Sequence, residues 1–256
     1  MNTMLQQFLT SQIFAFLLVF CRLGSAFVLL PGFGEIYVAV RARLMLALMF
    51  SLTLTPVVHN IPPVPTDAFA LMTLMGGEIL TGLFLGGLSR LLIAAMHIAA
   101  TAIAYQSSLA SALTLDIAQF QGQDTSLGNL MSVTAVVLLF ATDLDHLMLK
   151  GLADSYTLFV PGQFPPIADF AQSATQTMNG AFRMALQLAA PNIVIGMILY
   201  LGGGIISRLM PTMQIFFIMM APQLLISFFI IMVTFSAIML WYINYFKDSL
   251  SVFLAP

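Results

Sequence analysis

The amino-acid sequence predicts an all-α membrane protein, and three observations carry that expectation. Of its 256 residues, 60% are hydrophobic and 7% charged, where soluble domains carry about 25% charged residues. Eight Lys and Arg with ten Asp and Glu cannot cover a water-soluble globule of this size, so most of the surface must face lipid or other protein. The charges are also clustered: residues 1–21, 44–66, 125–142, 184–207 and 209–246 contain none. Finally, the apolar runs show no period-two alternation, and Pro- and Gly-rich turns separate them.

The elements follow in order. Residues 1–21 lack Lys and Arg and the apolar run continues to Leu30, so the N-terminus reads as a retained first helix and not a signal peptide. A spanning helix needs about 20 residues. Segments near 8–30, 68–88, 91–113, 127–147, 184–206 and 213–240 meet that length, with Arg90 taken as the break between the second and third. The stretch 44–58 is only 15 residues long, too short for an easy span. The run 209–246 is too long for one span unless strongly tilted, and a break at Pro222 into two helices is the alternative. Residues 59–67 and 161–166 are proline-rich extended links, and 114–126 is a polar segment between apolar helices. The sum is about six to eight hydrophobic helices in one domain over 1–256, with an N-terminal part near 1–181 and a C-terminal hairpin part near 182–250. Placing Arg41, Arg43, Arg90 and Lys150 on one side satisfies the positive-inside rule, but Arg208 breaks it.

The composition excludes several functions. A net charge of -2 without a basic stripe argues against nucleic-acid binding. A lone Cys21 allows no internal disulfide. His59, His97 and His146 sit in no metalloprotease motif, and no Walker, dinucleotide or nucleophile-elbow motif occurs. No enzyme activity, cofactor or metal is expected. Gly202-Gly203-Gly204 reads as close helix packing.

What remains is polar groups in apolar context. Arg22 lies in the first apolar stretch and Glu78 in another, where Gly82 and Gly86 make a small-residue face. Arg22 and Glu78 are able to pair across two helices, as a structural ion pair or as part of a pathway. Asp143, Asp145 and His146 read as a solvated helix end, with a proton relay as the alternative. Met210, Met213, Met219 and Met220 crowd one region, as lipid-facing filler or as a compliant seal.

Several stretches in order resemble the FliR family of flagellar and type III export-gate proteins. They are Phe20-Cys21-Arg22-Leu23-Gly24 with Pro31-Gly32-Phe33-Gly34 and Arg41-Ala42-Arg43, then Gly77-Glu78 through Gly82 to Gly86. There follow Gln106 through Ser111 to Asp116, Asp145-His146, Ser155-Tyr156 through Pro161, and Ser207-Arg208-Leu209-Met210-Pro211. The resemblance spans about residues 10–245. The family often has Asp-Pro where this chain has Asp116-Ile117.

The resemblance implies tilted helical hairpins packed with FliP-like and FliQ-like subunits in a hetero-oligomer. That assembly sits in the bacterial inner membrane at the flagellar basal body, part of its mass raised toward the periplasm. It implies a structural, gate-forming subunit that helps form and seal the path of unfolded flagellar export substrates. It also carries a plug-like loop onto Ser108 to Gln123, with Leu113, Leu115, Asp116, Ile117 and Phe120 as its sealing residues. Gln106 and Arg208 enter as matched positions. A stand-alone small-molecule transporter using Arg22, Glu78 and Asp143 is the alternative reading, and it lacks the expected internal repeat.

Overall fold

The computed structural model describes residues 2–58, 61–107, 126–210 and 215–251. Among them are seven α-helices and no strand: α1 Asn2–Leu29, α2 Val40–Leu54, α3 Ala68–Gln106, α4 Ser126–Ala141, α5 Leu144–Leu158, α6 Ile167–Leu209 and α7 Ile215–Ser251. Four are long and apolar enough to cross a membrane, over Thr10–Leu29, Ala68–Gln106, Ile167–Leu209 and Phe217–Ser251. The chain is a helical membrane protein.

Each helix buries one stripe. On α1 the buried residues are Phe14, Ala15, Leu18, Val19, Arg22, Leu23, Ala26 and Phe27, adjacent pairs that recur every four residues, as a single helix face requires. On α7 the stripe runs Gln223, Ser227, Ile230, Ile238, Tyr242 and Phe246. The opposite face of α7 stays apolar and exposed, with Phe217 74% and Met232 81% accessible. A face of that kind needs lipid or protein against it.

Two compact units are present. The first comprises Met1–Leu92, Leu139–Thr177 and Lys247–Pro256; the second comprises Ile93–Leu138 and Met178–Phe246. In the first, α1 and α2 meet through Phe27 and Phe50, ring centroids 6.0 Å apart. The turn between them is held by Arg43, whose Nε donates to Phe33 O at 2.9 Å and Nη2 to Glu35 O at 3.0 Å. In the second, the core is built on small residues: Ala95, Ala99, Ala100 and Ala104 of α3 and Ala185 and Ala189 of α6 are nearly inaccessible, which allows close helix approach.

Three sequence expectations are corrected, and one open alternative is decided. Arg90 does not separate two spans; α3 is one helix of 39 residues, and Arg90 lies within it, 47% exposed and 3.6 Å from Glu35 Oε1. A charge is costly to lipid, not to helix geometry. Of the two readings of the last run, a break at Pro222 does not occur: α7 is one helix of 37 residues that continues through it. A proline removes one backbone hydrogen bond, which membrane helices accommodate locally. The expected 127–147 span instead breaks after Ala141, where α4 and α5 meet at a 75° bend. The residue at the break, Asp143, has φ 56. Finally, α6 begins at Ile167, well before the expected 184, and also contains Pro191. The short second segment stands: α2 has 15 residues, starting four positions earlier than expected.

Candidate functional site

Arg22 and Glu78 form the most connected polar centre in the first unit. Both lie in apolar helices, on the buried stripes of α1 and α3, and their side chains are 1% and 3% exposed. Arg22 Nε donates to Glu78 Oε2 at 2.6 Å. Nη1 donates to Ser155 O at 3.2 Å and Ser155 Oγ at 3.4 Å, and Nη2 to Phe159 O at 2.9 Å. The guanidinium also lies over the Tyr156 ring, 4.1 Å from its centroid. The other carboxylate oxygen, Glu78 Oε1, accepts from the Gly162 N–H at 3.3 Å.

This arrangement answers an energetic problem. Burying an unpaired charge is prohibitive, and a buried ion pair persists only if its remaining donors and acceptors are also satisfied. Here they are, by the C-terminal end of α5 and the turn after it. Ser155 O already accepts the Phe159 N–H at 2.8 Å and takes Arg22 as a second donor, whereas Phe159 O, just past the helix end, takes its hydrogen bond from Arg22. Gly162 has φ 87, and a Cβ there would lie 2.7 Å from Pro62 Cγ; only glycine brings this N–H to Glu78. The sequence pointed to the charge pair and not to the backbone acceptors that complete it.

Gly82 and Gly86 explain how α3 comes close enough. A Cβ at Gly82 would fall on Arg22 O and Ser25 Oγ, and one at Gly86 would lie 2.7 Å from Ala26 O. The two glycines seat α3 on the backbone of α1 one turn apart, and Glu78 sits one turn before them.

In the second unit Gln106 ends α3. Gln223 Nε2 donates to Gln106 O at 2.6 Å, and Gln106 Nε2 reaches Ile193 O at 3.5 Å. Gln223 and Asn192 are buried; sequence reasoning missed both, although each is a lone amide directly after a mid-helix proline. Gly203 packs against Met219 Sδ, while Gly202 and Gly204 meet nothing within 4 Å. So only the central glycine of that cluster serves close packing. Arg208 is exposed in the last turn of α6, where a cation suits the helix dipole.

Asp143, Asp145 and His146 gather carboxylate and imidazole atoms within 4.8 Å. Asp143 and His146 are 85% and 76% exposed, so this is a solvated helix start. Asp143 takes no part in the Arg22 centre. Leu113, Leu115, Asp116, Ile117 and Phe120, with Met213, lie outside the described residues.

Residues 13–249 match the family of bacterial export proteins, family 1. The chain belongs to that family. It is 31% identical over 243 residues to the flagellar biosynthetic protein FliR of Caulobacter vibrioides, covering 94% of this chain and 96% of the relative. It is 29% identical over 236 residues to the FliR protein of Bacillus subtilis, covering 91% and 90%. It is also 26% identical over 220 residues to the Yop proteins translocation protein T of Yersinia pestis, covering 85% and 84%. Against this background the Arg22 centre reads as architecture. Its hydrogen-bonding capacity is spent on the protein, which leaves a small-molecule transport pathway little to work with.

Proposed function

We propose that this chain is a structural, gate-forming subunit of a flagellar type III export channel, in the inner membrane at the basal body. Similarity to an export family over nearly the whole chain carries the reading. The flagellar assignment follows the FliR relative in Caulobacter vibrioides, matched at higher identity and coverage than the Yersinia translocation protein.

Helix length supports it physically. At about 1.5 Å per residue, the 43 residues of α6 rise about 65 Å, and α3 and α7 about 58 and 56 Å. The hydrocarbon core is about 30 Å thick. Helices apolar outward over such lengths need cover beyond the bilayer, and FliP-like and FliQ-like sister subunits would supply it. Part of the mass then stands on the periplasmic side. Segment 108–123 serves as the plug across the path of unfolded substrates.

The test is co-purification from native membranes. The chain should be recovered with FliP-like and FliQ-like proteins in one detergent-resistant complex. A monomeric chain in membranes containing both partners would overturn the proposal.

A further inference from the structure

Within the first unit, the turn between α1 and α2 is tightly built, yet its tip is apolar and bare. Gly32 has φ 80, and a Cβ on Gly34 would fall on Val28 O. Phe33 sits between the rings of Phe27 and Phe140, centroids 5.2 and 5.6 Å away, and Arg43 donates to Phe33 O and Glu35 O. On this fixed base Ile36 is fully exposed, with Tyr37 64% and Val40 75% exposed. Charges of mixed sign surround the tip. Arg90 lies 3.6 Å from Glu35, and Asp143 and Asp145 follow just past Phe140. The exposed Arg41 has no hydrogen bond or ion pair among the described residues. Away from this zone, charge stops. The apolar span of α1 that ends here, Thr10–Leu29, has 20 residues, about 30 Å of helix and about the thickness of the hydrocarbon core. Its one charge, Arg22, is paired with Glu78. Along α2 no charge follows Arg43 before Asp67, and Leu44, Met45, Met49 and Leu52 are more than half exposed. So α1 and α2 both enter an apolar medium at the level of this turn.

We propose that the turn at residues 31–39 is an anchor in the phospholipid surface. Ile36 and Val40 enter the acyl boundary, Tyr37 lies among the headgroups, and Arg41 donates to a lipid phosphate. Three observations favour lipid over a protein cover or water. The turn lies at the end of a span of bilayer length, where the headgroups begin. Its residue types suit that level, since an amphipathic Tyr ring prefers the interface and a guanidinium pairs with phosphate. The surrounding charges are also mixed in sign, as zwitterionic headgroups are, and the unpaired Arg41 still needs an anionic acceptor. The rigid base matters as well. It keeps Ile36 from folding back onto the helices, so the side chain gains apolar surroundings only by entering the membrane. The anchor thereby sets the depth of the first unit in the bilayer, which membership of an export family leaves open.

The test uses the full chain in native membranes, with Ile36 exchanged for the photoreactive amino acid p-benzoylphenylalanine. Because Ile36 is fully exposed, the larger side chain displaces nothing. After irradiation the purified chain should gain the mass of one phospholipid as its main product. Arg41→Glu sets a carboxylate against the phosphates and should lower that yield several-fold. An adduct with another protein puts a subunit over the tip and overturns the anchor. The absence of any adduct leaves the tip in water and overturns it equally. A lipid adduct whose yield ignores Arg41→Glu overturns the phosphate contact of Arg41. Should exchange at 36 prevent insertion, Tyr37, also exposed, carries the same comparison.

Discussion

Arg22 Nε donates to Glu78 Oε2 at 2.6 Å, with both side chains almost inaccessible. Removing one partner of a buried pair leaves an uncompensated charge and costs about 3–5 kcal/mol. Arg22→Met and Glu78→Leu should each lower the melting temperature of the detergent-purified chain substantially. The double substitution removes both charges but leaves Phe159 O without Arg22 as donor and the Gly162 N–H without Glu78 as acceptor, while Ser155 O keeps the Phe159 N–H. It should recover only part of the loss. Wild-type melting in Arg22→Met would show that the centre contributes nothing to stability.

The glycines on α3 divide by what lies over them. Gly82→Ala and Gly86→Ala place a methyl against backbone carbonyls of α1, whereas Gly76 has nothing within 4 Å. Backbone cannot rotate aside as a side chain can, so the first two should cost about 1–3 kcal/mol as overpacking. Gly76→Ala should be neutral or slightly stabilising, since alanine is the better helix former. Melting curves of the three variants check the order; equal effects would mean that helix propensity dominates.

The Arg22–Glu78 pair is legible in the sequence because each is a lone charge in an apolar run. The rest of that centre is not, because Ser155 O, Phe159 O and Gly162 N–H are backbone groups that no residue type announces. Helix boundaries suffered from a related cause. Treating charges as punctuation reads solvation cost as if it were backbone geometry. It cut α3 at Arg90, and it hid the start of α6 behind Asp169 and Arg183. The class of fold depends on none of this, since the shortage of charge sets it alone.

Asp143 turns the chain between α4 and α5 with φ 56, the sole positive value among the described non-glycine residues. Left-handed backbone costs most L-residues about 1–2 kcal/mol, and Asp or Asn less. The Asp143 side chain makes no capping hydrogen bond to α5, so its value lies in tolerating this conformation. Asp143→Asn should keep wild-type stability, while Asp143→Val should lose about 1–2 kcal/mol more. Equal melting temperatures for the two would remove backbone conformation as the reason for an Asp here.

Residues 112–119 form the middle of the proposed plug, segment 108–123. Leu113, Leu115 and Ile117 lie in a stretch that also holds Asp116, Gln119, Gln121, Gly122 and Gln123. On the proposed reading, these apolar groups close the passage by contact. Deleting Ala112–Gln119 should therefore raise ion leak through the assembled gate in planar bilayers. Replacing Leu113, Leu115 and Ile117 by Ser keeps the length and removes the apolar contact, so its leak should fall between wild type and deletion. If leak rises only on deletion, bulk and not apolar contact makes the seal. If it rises in neither, the passage is closed elsewhere.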